Sequence, residues 1–305
     1  MGQIAFVFPG QGAQYAGMGR ELSECSPAAA EVFRLADELR PETSAQCFDG
    51  PEAALRETAN TQPCLFTAEL AAAAALREAG IHPDMAAGFS LGELAALTVT
   101  GAAEFATGFS LVCRRGALMQ QAAEEHPAAM AAVVRLDNET VERLCAGFDG
   151  VCPVNYNCPG QVAVAGKQDQ MAAFSASVKA AGGRAIPLKV SGGFHSPFMA
   201  RAAEQFAAIL ETAALRQPEI PLYSNCTGLP YGSELRPLLA KQICSPVRWE
   251  AIVRHMIAAG ADTFVEAGPG GTLCGLISKI DKNVRVFPVF DQKSLGECIA
   301  EVAKC

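Results

Sequence analysis

The feature that most restricts how this chain can fold is the order in which short apolar runs and helical patterns alternate along it. The run Ile4 to Phe8 closes in Pro9-Gly10-Gln11-Gly12 and gives way to a helical pattern from about Met18. A helix pattern with Thr61 as its cap and Pro63 in its first turn runs to Gly80. The small-residue run Met85 to Gly88 then turns sharply at Ser90 into a helix pattern through Glu93, Leu94 and Leu97. Strand, glycine turn and helix in succession build α/β layers. Between about residues 130 and 190 the rhythm changes. A strand (Met130 to Leu136), a helix capped by Asn138, two strands (Val151 to Asn155 and Val162 to Ala165), a helix around Phe174 and a strand (Arg184 to Val190) follow in turn. That βαββαβ order is the ferredoxin-like split unit. Later patterns at Leu222 to Asn225, Trp249 to Ala259, Thr263 to Glu266 and Leu273 to Ile280 resume the first alternation. The expected architecture is an α/β core made of residues 1–127 and 191–305, interrupted by a small α+β insert over 128–190.

Composition narrows the function classes. With 305 residues, 50% of them apolar and 18% charged, the chain has enough material for a real core and is too apolar for disorder. Its 24 basic and 32 acidic side chains leave a formal charge of −8, a poor match to a phosphate backbone, so nucleic acid is not an expected partner. Twelve cysteines are scattered without C-x-x-C spacing and only four histidines accompany them, which argues against structural zinc. Many of these cysteines read as small core residues in a reducing compartment. No apolar segment is long enough to span a bilayer and the first residues lack a leader pattern, so a soluble, cytoplasmic protein without membrane association is expected.

The chemistry-bearing motif is Gly88-Phe89-Ser90-Leu91-Gly92, a G-x-S-x-G between a short strand and a helix. In that context glycines on either side permit a strained turn that pushes the serine hydroxyl into a cleft, and the amide of Leu91 points where an oxyanion forms. The competing reading is a serine that merely caps a helix. A nucleophilic serine needs a base. His82 adjoins Pro83, His126 sits among Glu124, Glu125 and Pro127, and His255 falls mid-helix, whereas His195 occupies the glycine-rich turn Ser191-Gly192-Gly193-Phe194-His195 between insert and core. Position therefore favours His195 as base over a merely local hydrogen-bonding role. Gln11, in the turn after the first strand, could offer a second amide to the same oxyanion. That turn fails as a dinucleotide fingerprint because its final glycine is missing, and no P-loop pattern occurs in the chain. At 100° per residue Arg115 borders the apolar face of its helix and Arg114 lies nearly opposite, so Arg115 is the one able to point inward. It reads either as partner of a structural carboxylate or as a clamp on a substrate carboxylate.

Taken in order, FVFPGQGAQYAGMG (6–19), NTQP (60–63), GFSLGELAAL (88–97), RRGALMQ (114–120), VNYNCPGQVAVAG (154–166), VSGGFHSPFM (190–199), YSNCTG (223–228), SPVRW (245–249) and EAGPGGTLCGL (266–276) resemble the malonyl-CoA:acyl carrier protein transacylase family over nearly the whole chain. The resemblance implies a hydrolase-like α/β core with a ferredoxin-like insert. It implies acylation of Ser90 by malonyl-CoA with His195 as general base and acid, and backbone amides of Gln11 and Leu91 as the oxyanion hole. It further implies Arg115 as partner of the malonyl carboxylate, Gln62, Asn157 and Gln161 as polar positions lining or supporting the site, and a backbone carbonyl at Arg248 that orients the histidine. One departure stands out: Phe89 occupies the place where the family usually has histidine. Gly193-Phe194-His195 resembles the malonyl-selecting form of its motif.

The implied reaction is ping-pong transfer of malonyl to the phosphopantetheine thiol of an acyl carrier protein in fatty acid synthesis. It requires no metal or bound cofactor, only a transient partner, and a monomer suffices. Docking of an acidic carrier on an acidic enzyme needs local basic residues, for which Lys179, Arg184, Lys189 and Arg201 are candidates. A discrete polyketide acyltransferase, a serine thioesterase or hydrolase on the same fold, and a non-enzymatic binding module are the alternatives.

Overall fold

A computed structural model describes residues 2–190 and 192–302; Ser191 and Cys305 lie outside the described residues. Two sheets organise the chain. The first has five parallel strands in the order β7-β2-β1-β8-β9, with β1 Gln3–Phe8, β2 Met85–Gly88, β7 Leu222–Tyr223, β8 Ala261–Ala267 and β9 Arg285–Val289. The second is antiparallel in the order β4-β5-β3-β6, with β3 Ala129–Val134, β4 Cys152–Cys158, β5 Gln161–Gly166 and β6 Arg184–Pro187. Helices Asn138–Cys145 and Met171–Ala180 complete the βαββαβ unit.

The parallel sheet is covered on both faces, which is why β1 and β2 are almost continuous apolar runs rather than alternating ones. On one face Phe6 and Phe8 belong to the core shared with the alanine-rich helix Thr58–Glu78, helix Gly92–Val99 and helix Phe105–Glu125. The other packs Ala5 and Val7 toward Trp249, Ile252 and Val253 of helix Trp249–Ala258 and toward Leu273 of helix Thr272–Ile280. The small sheet has its own core of Val133, Val141, Val162, Val164 and Phe174. It is fastened to the core domain through main-chain bonds: Tyr156 N–H donates to Val247 O and Val247 N–H to Val154 O, both 2.9 Å.

Several local expectations shift. The Thr61 cap is displaced: the helix begins at Thr58 after Glu57, and Thr61 Oγ1 instead donates to Leu55 O at 2.5 Å, tying the helix to the turn before it. Pro63 consequently lies inside the helix. Asn138 is the first helical residue and Asp137 is the cap, accepting from Thr140 N–H at 2.7 Å. The pattern from Met18 resolves into two helices, Arg20–Cys25 and Pro27–Leu39, because Ser26 caps the second by accepting from Ala29 N–H. Strand β9 and helix Ala200–Thr212 went unread; β9 is a half-exposed edge strand with little periodic signal. Among the described residues no helix is long and apolar enough to cross a membrane, no metal-binding cluster occurs and the described cysteines are free.

Strand β2 ends beside β1, with Gly88 paired to Phe8, so the turn that follows opens at the carboxyl edge of the sheet. The close approach there demands glycine. A Cβ on Gly88 would sit 1.9 Å from the carbonyl of Gly92, and one on Gly92 would sit 2.3 Å from Phe8 O. Because both neighbours are backbone, Gly88→Ala is expected to destabilise the fold by about 3 kcal/mol, read as a lowered urea midpoint. An unchanged midpoint would contradict this packing.

Candidate active site

Ser90 stands at the top of the turn with φ of 57°, a left-handed conformation that non-glycine residues rarely adopt. Its neighbours hold it there. Ser90 N–H donates to Asn225 Oδ1 at 2.7 Å, while Asn225 Nδ2 donates to Gly88 O at 2.6 Å, so one side chain following β7 clamps the turn from both sides. His195 is also left-handed, with φ of 61°, and its ring is buried. Its Nε2 lies 2.7 Å from Ser90 Oγ and its Nδ1 lies 2.9 Å from Gln242 O. A carbonyl can only accept, so Nδ1 carries the proton and Nε2 is left to accept from the serine hydroxyl.

The carbonyl expected at Arg248 is therefore elsewhere. Arg248 O accepts from Ile252 N–H in the first turn of the following helix. The carbonyl that meets the histidine belongs to Gln242, the last residue of helix Leu235–Gln242, where carbonyls lack an intrahelical partner.

Arg115 lies inward, 1% exposed, while Arg114 faces solvent. Its guanidinium donates to Gln62 Oε1 at 2.9 Å, Gln242 Oε1 at 2.6 Å and Ser90 Oγ at 3.1 Å. Among the described residues no carboxylate touches it directly. Burial brings its pKa down to about 10, with Glu93 opposing that fall, so it stays charged at neutral pH. The same burial, then the Arg115 charge, hold His195 down at about 4. The imidazole is thus neutral across the physiological range and able to take a proton.

A cavity of about 110 Å³ is bounded by Ser90, His195, Gln11, Gln62, Leu91, Met119, Met130, Phe194 and Phe89 among others. The backbone N–H groups of Gln11 and Leu91 have no acceptor among the described residues, and both residues line this cavity. That arrangement suits two donors reserved for an oxyanion. Asn157 and Gln161 are not at Ser90; they line an adjoining cavity of about 240 Å³ that shares Gln11, Phe89, Asn155 and Leu188 with the first. Asn157 Oδ1 is buried there without a partner. Phe89 stands between the two cavities, its ring 5.7 Å from that of Trp249.

Three residues that matter to this geometry were not read from sequence: Asn225, Glu93 and Gln242. The first two lie inside quoted motifs, yet nothing in the spacing reveals that they meet. Glu93 is fully buried and accepts from Asn225 N–H at 2.9 Å, Tyr231 OH at 2.7 Å and Gln242 Nε2 at 2.7 Å.

A serine on a strained turn, a neutral histidine, free amides and an inward arginine meet at the carboxyl edge of a parallel sheet, a fold and site of the acyl-transferring class. The family model described as acyl transferase domain matches residues 5–300, and the chain belongs to that family. Within it the chain falls among the malonyl CoA-acyl carrier protein transacylases. It is 38% identical over 303 residues to the one from Bacillus subtilis (strain 168), covering 97% of this chain and 96% of that one. It is 38% identical over 290 residues to that of Escherichia coli (strain K12), covering 92% and 93%. The solved transacylase of Clostridium perfringens superposes with a TM-score of 0.96 at 36% identity, covering 99% and 98%. A malonyl-transacylase solved in complex with a type II PKS acyl-carrier protein superposes at 0.94 and 36% identity, covering 98% of this chain and 99% of that one.

The depressed histidine pKa has a kinetic consequence. With an uncharged acyl thioester, kcat/KM for acylation is expected to climb tenfold per pH unit below about 4 as His195 loses its proton, and to be level from pH 5 to 8. Removing the cation in Arg115→Ala should move that limb up toward 6.5, the ordinary histidine value. A wild-type limb near 6.5 would count against the burial argument.

Proposed function

We propose that this enzyme, an acyl carrier protein S-malonyltransferase, moves malonyl from malonyl-CoA to a carrier thiol through an acyl-Ser90 intermediate in fatty acid synthesis. The malonyl carboxylate pairs with Arg115. Ser90 Oγ attacks the thioester carbonyl while His195 Nε2 takes its proton, the amides of Gln11 and Leu91 hold the oxyanion, and the protonated His195 returns the proton to the departing CoA thiolate. In the second half the pantetheine thiol gives its proton to His195 and attacks the acyl-serine; as that intermediate collapses, His195 returns the proton to the departing Ser90 Oγ, which restores both the serine and the neutral base. This sequence needs no metal or bound cofactor, because serine supplies the nucleophile and two amides the electrophilic assistance. The Gln242 carbonyl orients the base. Gln62 supports Arg115, and the cavity holding Asn157 and Gln161 receives the pantetheine arm, whose amides suit the unpaired Asn157 Oδ1.

The observation that carries this reading is Arg115 Nη2 at 3.1 Å from Ser90 Oγ, a buried cation within one acyl group's reach of the nucleophile. A simple hydrolase has no use for it. Each charge-assisted hydrogen bond contributes about 1.5–3 kcal/mol. Arg115→Ala is therefore expected to lower kcat/KM for malonyl-CoA about 10- to 100-fold relative to acetyl-CoA. Radiolabelled malonyl-CoA should leave label on the wild type and none on Ser90→Ala, and that label should pass to carrier thiol far faster than to water. Label lost to water at the same rate would favour the hydrolase alternative.

The carrier, a transient partner, meets the enzyme at the insert, which we take as residues 128–190. Lys179, Arg184 and Lys189 are exposed and have no carboxylate partner among the described residues, and the apolar Ile186 and Leu188 lie exposed between them on and beside edge strand β6. Leu188 also lines both cavities, so the patch borders their mouth. Arg201 is less suited, being paired to Glu125 at 2.9 Å. We read the enzyme as a cytoplasmic monomer, since one chain carries every group the reaction uses. Charge reversal at Arg184 and Lys189 together is expected to raise the carrier KM at least several-fold at low salt while leaving that for malonyl-CoA unchanged. An unchanged carrier KM would move docking elsewhere.

A further inference from the structure

Arg115 presents an unusual electrostatic arrangement. Its guanidinium is buried against neutral acceptors, and the carboxylate that balances it, Glu93, sits one amide away. Gln242 is the bridge: its Oε1 accepts from Arg115 at 2.6 Å while its Nε2 donates to Glu93 Oε2 at 2.7 Å and to Ser90 O at 2.6 Å. The amide can point only one way, because reversing it would set its N–H against the guanidinium and its oxygen against the carboxylate. Glu93 therefore fixes the orientation of Gln242, whose carbonyl meets His195 and whose side chain aims Arg115.

We propose that Glu93 is a specificity-determining positioning residue: it is the resting counter-charge of Arg115, and it yields that role to the substrate carboxylate by taking up a proton from solvent as malonyl binds. Two carboxylates cannot both stay ionised beside one buried cation without repulsion. The malonyl carboxylate touches Arg115 directly and Glu93 does not, so Glu93 is the group that neutralises. Its present state makes this accessible, since burial has already pushed its pKa up to about 7 against the hydrogen bonds and the Arg115 charge that lower it. The other titratable groups near the carboxylate, Tyr231 and Cys226, are held neutral by burial, with Cys226 pushed up to about 12. His195, which feels the same guanidinium, titrates near 4, well outside the relevant range.

The proposal rests on Arg115 as malonyl clamp, and the test separates the two. The quantity to measure is kcat/KM for malonyl-CoA divided by that for acetyl-CoA, from pH 6 to 9, so that effects common to CoA and to the base cancel. Below about 7 Glu93 is neutral and the ratio should be level. Above it binding must draw a proton from solvent, so the ratio should fall by up to tenfold per unit. Glu93→Gln has nothing to titrate and should give a flat profile. Tyr231→Phe strips a donor from the carboxylate, raises its pKa and should move the break to higher pH, an effect that a merely structural role would not produce. If the wild-type ratio is flat, or if Glu93→Gln retains the break, the proposal is overturned. Should the ratio prove independent of Arg115 at every pH, the clamp itself falls and not only this inference.

Discussion

A guanidinium withdrawn from water sets the terms for the rest of the site. Desolvating an ion costs on the order of several kcal/mol, and a direct carboxylate partner is the usual remedy. On the malonyl-clamp reading proposed above, such a partner would occupy the place of the substrate carboxylate. The fold meets both demands by surrounding Arg115 with two glutamine oxygens and a serine hydroxyl and by keeping the compensating carboxylate behind Gln242. Elements far apart in sequence must converge for this. Gln62 comes from helix Thr58–Glu78, Arg115 from helix Phe105–Glu125, and Gln242 from the end of helix Leu235–Gln242. Packing of the first two helices against each other and against the parallel sheet is thus part of the electrostatics.

Backbone strain at Ser90 and His195 follows the same logic. Ser90 and His195 both hold positive φ, a conformation that costs of order 1–3 kcal/mol for a non-glycine residue. The surroundings over-determine it. Asn225 grips the serine turn through both its amide atoms, and its own N–H and the Glu93 carboxylate lock it in turn. Ser196, next to the histidine, folds its hydroxyl back to Gly193 O and accepts from Phe198 N–H at 3.3 Å, which stiffens the loop on the other side. Groups held in this way need little reorganisation when charge develops beside them, as the proposed transfer requires.

How much of this was legible depended on whether chemistry coincided with local pattern. Ser90, His195 and Arg115 could be read because a glycine-framed turn, a glycine-rich loop and a helical phase each mark the chain locally. The split unit could be read because its strand and helix periods alternate cleanly, and the pairing order β4-β5-β3-β6 is the one that βαββαβ connectivity produces. Gln242 could not. A glutamine at a helix end carries no local signal, and its importance arises only when that helix end is brought against the serine turn 152 positions away. The misplaced carbonyl at Arg248 has the same origin: the neighbourhood was right, but which carbonyl is free depends on where one helix stops and the next begins. Asn157 on β4 and Gln161 on β5, read as lining or supporting positions, border the outer cavity, which shares Gln11, Phe89, Asn155 and Leu188 with the inner one.

The division into two cavities bears on what the site accepts. The inner one, about 110 Å³, is lined by Met119, Met130 and Phe194 together with the polar Ser90, His195, Gln11, Gln62 and Asn155. Phe89 sharpens this division. This chain sets the apolar Phe89 ring against Trp249 at the junction of the two spaces. The ring offers no proton and no hydrogen bond, so polar contacts to the inner cavity come from its other lining residues, Gln11, Gln62, Asn155, Ser90 and His195. On the reading proposed above, a malonyl carboxylate entering this space pairs with the buried Arg115, whose Nη2 stands 3.1 Å from Ser90 Oγ, and that pairing turns the thioester carbonyl toward the serine.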